Sequence, residues 1–202
     1  MSGHYALING HKIFGYSRYL HFYNDIVNNS EDGALFVEVG SFLGQSTAAM
    51  GKFIKDSGKN INLHAVDIFE LSDFSDEPHY DVIRDHGGDF FASFMYNLTS
   101  AHAAEPVTPI KARSTDAAST YADRSISFLM IDASHAYQDV VEDIEAWYPK
   151  IKLGGIISGD DYDFEEVAAA VKHCCGKVNV YPHTTWWFRK SYLTLEEYKA
   201  AN

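Results

Sequence analysis

The chain has 202 residues, 46% of them hydrophobic and 22% charged, which is the composition of a globular protein about one domain long. Its 28 acidic and 16 basic side chains leave a net charge of −12, an argument against nucleic acid or an acidic membrane surface as the main partner. No apolar run approaches the roughly 18 residues of a membrane helix. Met1 to Gly15 has no basic stretch followed by an apolar core, so a cytoplasmic protein without a signal peptide is expected.

No repeat, low-complexity tract or linker interrupts the sequence, and residues 1–202 read as a single domain. Tyr19, Leu20, Tyr23, Ile26 and Val27 recur at helical spacing, predicting an N-terminal helix at about 16–29. Ala34 to Val39 reads as a buried strand ending at Gly40, followed by a helix from Ser46 to Lys55 that Gly58 closes. Ile61 to Val66 predicts a second strand with Asp67 at its end. The polar, acidic stretch at about 71–88 reads as an irregular insertion. An amphipathic helix follows over Asp89 to Ala103, then a short strand at Val107 to Ala112 and a short helix at Ala117 to Tyr121. Ile126 to Ile131 is a strongly apolar strand ending at Asp132, and Ala136 to Tyr148 a helix that Pro149 stops. Ile156 to Ser158 is a fifth strand running into Asp160 and Asp161. A helix from Phe164 to His173 and strands at Lys177 to Tyr181 and Trp186 to Lys190 complete the pattern. Cys174 and Cys175 are adjacent, with Cα atoms about 3.8 Å apart, closer than a disulfide ordinarily spans.

Strands alternating with helices predict an α/β fold: a mostly parallel, Rossmann-like sheet of seven strands with helices on both faces. Ligands of such sheets bind beyond the carboxyl ends of the strands. Four strands here end on acidic residues: Glu38, Asp67, Asp132 and the pair Asp160-Asp161. The loop Gly40-Ser41-Phe42-Leu43-Gly44 allows a ligand to approach the backbone, but it lacks the third glycine of a dinucleotide fingerprint and the lysine of a P-loop. Asp67 is placed to accept hydrogen bonds from ribose hydroxyls. Asp132, Asp160 and Asp161 at neighbouring strand ends suit a hard divalent cation such as Mg2+. The competing reading is that Asp132 and Asp160 cap the helices that follow them. His135, three residues past Asp132 at the crevice mouth, is a candidate general base.

The run Phe36-Val37-Glu38-Val39-Gly40-Ser41-Phe42-Leu43-Gly44-Gln45-Ser46-Thr47 resembles the S-adenosylmethionine (SAM) loop of class I methyltransferases. Phe128 to Tyr137, Asp139 to Ile144, Trp147-Tyr148-Pro149 and Leu153 to Tyr162 resemble the small metal-dependent O-methyltransferases. Within these the macrocin-type sugar O-methyltransferases look closest, and the catechol-type enzymes are more distant. The resemblance implies that Glu38, Gly40, Ser41, Phe42 and Ser46 hold the methionine end of SAM. It implies Asp67 at the ribose, Ile68 and Ser114 at the adenine, and Asp132 and Ala133 bordering the cofactor. By the same resemblance Asp132, Asp160 and Asp161 hold the metal and His135 is the base.

The expected activity is therefore SAM- and divalent-metal-dependent O-methylation of a small hydroxylated molecule such as a sugar, a vicinal diol or a catechol. The alternative is a SAM- or nucleotide-binding module without transfer activity. No nucleic-acid or membrane partner is expected, and self-association into a homo-oligomer is compatible with the sequence.

Overall fold

The computed structural model describes residues 3–70, 81–83, 89–182 and 184–201. A seven-stranded sheet forms from β3 (Leu35–Val39), β4 (Asn62–Asp67), β5 (Val107–Lys111), β6 (Ile126–Ile131), β7 (Ile151–Gly159), β8 (Asn179–Val180) and β9 (Trp186–Arg189). Their order across the sheet is β5-β4-β3-β6-β7-β9-β8. The strands from β5 to β7 are parallel, while β9 runs antiparallel to both β7 and β8. The chain reverses direction across the sheet between β3 and β6, the place where an open α/β sheet offers a crevice.

Side chains alternate across the strands, as period-two geometry requires. Phe36, Phe128 and Met130 face one side, where they pack with Tyr19, Tyr23, Ile26 and Val27 of the N-terminal segment and with Met50 and Ile54. The helices there are α1 (Leu20–Asn29) and α2 (Gln45–Ser57). Val37, Leu129 and Ile131 face the other side and pack against α4 (Ser114–Ser119), α5 (Tyr137–Trp147) and α6 (Glu165–Cys175). A further helix, α3 (Phe90–Ser100), joins the apolar cluster around Leu43 and Ala48. The short C-terminal α7 (Leu195–Ala201) lays Tyr198 on Phe188, ring centroids 4.8 Å apart. Cys174 and Cys175 are both buried and free. Among the described residues no helix is long and apolar enough to cross a membrane.

Two expectations change. The sequence reading finds no element before Tyr16, yet β1 (His4–Ile8) and β2 (His11–Gly15) form an antiparallel hairpin. Its turn is Asn9-Gly10, both at positive φ (48° and 83°), the backbone a two-residue hairpin loop needs. Gln45, the first residue of α2, anchors this hairpin: its Nε2 donates to His4 O and Ile13 O, and its Oε1 accepts from Ser17 N. The fifth strand of the main sheet also starts earlier than expected, at Ile151, because the Gly154-Gly155 step is taken up as an irregularity between β6 and β7. The insertion expected at 71–88 lies outside the described residues except for 81–83, which are helical.

β3 and β6 come so close at their carboxyl ends that only glycine fits at position 40. Its φ is +85°, and a Cβ there would sit 1.9 Å from Asp132 O. Gly40→Ala combines left-handed strain with a backbone clash. It is expected to lower unfolding free energy by about 3 kcal/mol or more, read as a shifted midpoint in urea; an unchanged midpoint would mean the two strand ends do not meet.

Candidate active site

Three carboxylates lie beneath or beside the glycine loop, and each is given donors by a different part of the chain. Glu38, 1% exposed, accepts from Tyr23 Oη at 2.8 Å, from Ser41 Oγ at 3.4 Å and from the Thr47 hydroxyl. Burial raises its pKa, opposed by hydrogen bonds from Ser46, Thr47, Tyr23 and Ser41. Asp67 Oδ2 accepts from the backbone amides of Ser41 (2.8 Å) and Phe42 (3.0 Å), and its Oδ1 from Phe69 N (2.8 Å). Burial raises this carboxyl too, against the same amides. Phe42 and Phe69 both hold positive φ (47° and 49°), so the amides of Asp67 fix a backbone that these side chains would not adopt unaided. Glu38 and Asp67 thus spend hydrogen-bonding capacity on shaping the loop.

The third carboxylate, Asp132, sits where β6 ends, and it belongs to a second group. The Tyr19 hydroxyl donates to its Oδ2. Withdrawal from water pushes its pKa well up, and the neighbouring Asp160 and Asp161 push it further. Asp132, His135 and Asp161 each bring one ligand atom to a common point, all within 4.8 Å of one another. His135 Nε2 lies 2.9 Å from Asp161 Oδ2; this hydrogen bond raises the imidazole pKa against the opposing effect of burial. The His135 ring also rests on Phe164, centroids 4.8 Å apart. Asp161 is buried in a left-handed conformation (φ 59°). Among the described residues its Oδ1 has no hydrogen-bond partner, and Arg18 Nη2 stands 3.8 Å away. An unsatisfied buried oxygen costs about 1–3 kcal/mol, a cost that a cation beside it would offset.

The expected metal set was Asp132, Asp160 and Asp161, and the geometry groups these residues differently. Asp160 is not in the cluster of three; its Oδ1 accepts from the hydroxyls of Thr184 and, at 3.1 Å, Thr185. His135 stands in its place. Helix capping does not account for the aspartates either, since the N-cap residues of α5 and α6 are Ala136 and Phe164 and neither helix has a side-chain cap. Tyr19, Arg18, Thr184 and Thr185 went unnoticed in the sequence. Tyr19 reads there as one more apolar position on a helical face, and isolated threonines carry no pattern.

The other expected cofactor residues are spread along the carboxyl end of the sheet. Ser46 is buried in the first turn of α2, Ile68 is half-buried after β4, and Ala133 is exposed beside Gly40. Ser114 Oγ accepts from Trp147 Nε1 at 2.9 Å, and the residue also hydrogen-bonds the Asp143 carboxyl.

A parallel sheet that reverses at β3 and β6, with a glycine loop after its first parallel strand and acidic residues at the strand ends, is the class I methyltransferase fold. The chain belongs to the Methyltransferase domain family, which matches residues 37–162, and it is a SAM-dependent methyltransferase. No curated protein sequence matches it. Solved structures share the fold at low identity. The O-methyltransferase NovP is 15% identical with a TM-score of 0.64, over 85% of this chain and 79% of that one. An rRNA methylase from Streptococcus thermophilus is 14% identical with a TM-score of 0.58, over 88% and 99%. A Streptococcus mutans protein solved in complex with SAH is 10% identical with a TM-score of 0.60, over 87% and 99%.

The rRNA methylase corrects one expectation. Net charge does not rule out a nucleic-acid partner for a chain of this fold. The value of −12 sums the whole surface, whereas a substrate meets only the mouth of the crevice, where the local field decides.

The Asp143 carboxyl that bonds Ser114 is buried, which raises its pKa to about 6. In the unfolded chain it titrates near 3.9. Between these values the folded state holds a proton that the unfolded state has lost, so stability falls as pH rises from about 4 to 6 and stays lower above that. The cost above pH 6 is of the order of 2–3 kcal/mol. Asp143→Asn is expected to be more stable than wild type at pH 7.5 and to lose this slope, as thermal melts across pH would read.

Proposed function

We propose that the chain methylates a hydroxyl oxygen of a small molecule, a sugar, vicinal diol or catechol, with a divalent cation such as Mg2+ held between Asp132 and Asp161. Within the methyltransferases this is the behaviour of the metal-dependent O-methyltransferases, and the motifs resemble their sugar-modifying branch most. The observation that carries the reading is the cluster of Asp132, His135 and Asp161, with Asp161 buried and its Oδ1 lacking a hydrogen-bond partner among the described residues. Two carboxylates beside an imidazole suit a divalent cation that keeps open positions, with the imidazole left to handle the proton.

When bound, SAM supplies an electrophilic methyl group and the cation lowers the pKa of a hydroxyl near it. The protein's own part is to position and to move a proton. The Gly40 loop, with Ser41, Phe42 and Ser46, holds the methionine end of the cofactor, and Glu38 and Asp67 brace that loop from beneath. Ile68 and Ala133 flank the adenosine. Asp160, pinned by Thr184 and Thr185, keeps the end of β7 in place so that Asp161 turns into the cluster. His135, held by Asp161 through Nε2 and with 44% of its side chain exposed, is the base that takes the proton of the acceptor hydroxyl. Close alignment of acceptor and methyl group supplies much of the remaining acceleration.

Given SAM, Mg2+ and a panel of sugars, diols and catechols, methyl transfer to at least one acceptor is expected. EDTA should abolish it while calorimetry still detects SAH binding. Transfer that survives chelation, or transfer to RNA and to none of the small acceptors, overturns the reading. His135→Ala should lower turnover by roughly 10²–10⁴ and leave SAH affinity unchanged; a loss of SAH binding instead would remove His135 from the proton-transfer role.

A further inference from the structure

The family match begins at residue 37, but one carboxylate of the cluster is held by a residue well before it. Tyr19 is wholly buried, immediately precedes α1 and donates its hydroxyl to Asp132 Oδ2. Four residues on, Tyr23 is also wholly buried and donates to Glu38 Oε1. The two rings meet edge to face at 4.9 Å. One turn of chain therefore presents two phenols of the same construction to two different carboxylates, one in the cluster and one under the glycine loop. A carboxylate turns freely about its terminal bond unless something holds it. Tyr19 is the only hydrogen-bond donor given to Asp132 among the described contacts. Asp161 across the cluster has a left-handed backbone and an oxygen with no hydrogen-bond partner among the described residues, so the orientation of Asp132 decides whether the pair can share one cation.

We propose that Tyr19 is a positioning residue: its hydroxyl sets the Asp132 carboxylate for a divalent cation shared with Asp161, which makes the N-terminal segment part of the active site. The proposal rests on the metal-dependent reading above. The test uses Mn2+ as the probe, titrated into the full chain and followed by the loss of its free-ion electron paramagnetic resonance signal. Wild type, Tyr19→Phe and Tyr23→Phe are compared, with thermal melts recorded for each. Tyr19→Phe keeps the ring and its packing, and is expected to weaken Mn2+ binding by roughly 10-fold or more, the usual effect of removing a group that orients a metal ligand. Tyr23→Phe removes the same hydroxyl one turn away and should leave Mn2+ affinity unchanged. Tyr19→Met, which also lacks the donor but adapts to irregular space, should match Tyr19→Phe and stands in for it if that variant does not fold. Equal affinity in wild type and the Tyr19 variants overturns the proposal, as does an equal loss in Tyr23→Phe, which would mark a general effect on packing. A wild-type chain that binds no Mn2+ overturns the metal-dependent reading itself, and is thereby told apart from a failure at Tyr19 alone.

Discussion

Five carboxyl groups crowd the carboxyl ends of β3, β4, β6 and β7, and burying them requires that each be given donors. Glu38 takes hydroxyls from α1, the loop and α2. Asp67 takes three backbone amides. Asp160 takes two threonines from the approach to β9, and Asp132 takes a phenol from the N-terminal segment. Much of the local architecture can be read as the means of delivering these donors. Asp161 differs: its Oδ1 is buried without a hydrogen-bond donor among the described residues. A protein interior tolerates an unpaired acceptor poorly, which is why the proposed cation is placed beside Asp161.

The same constraint ties the loop to the cluster. Gly40 lets β3 and β6 approach until the backbones of Gly40 and Asp132 nearly touch. Ser41 and Phe42, the next two residues, are held by Asp67 on the other side. A shift of β6 would therefore move the loop and the cluster together. Tyr19 and Tyr23 extend this linkage to a third element, each reaching one of the two carboxylates from the same stretch of chain.

The strands and the acidic residues at their ends were legible because both rest on local regularities. Buried parallel strands are continuous apolar runs, so Phe36 to Val39 and Ile126 to Ile131 stand out, and a carboxylate at the end of such a run is conspicuous. What was hidden depends on contacts far apart in sequence. Asp160 and Asp161 are indistinguishable as neighbours in a string. Only the left-handed backbone at Asp161 and the threonines at 184 and 185 send one away from the cluster and the other into it. Tyr19 bonds a residue 113 positions away, and no periodicity encodes that. The hairpin is a different case, since Asn9-Gly10 between alternating residues is a local signal that a reading with no element before Tyr16 passed over.

The Gln45 side chain joins the hairpin to the rest of the molecule through one amide group. Its nitrogen serves carbonyls on both strands and its oxygen serves the strap at Ser17, while its own backbone opens α2. A two-stranded hairpin alone is at best marginally stable in water, and would fray many times for each global unfolding event. Bound to α2 in this way, it gains the protection of the sheet and opens with it as one cooperative unit. The N-terminal segment is then as long-lived as the core, as it must be if Tyr19 is to hold Asp132 through repeated turnover.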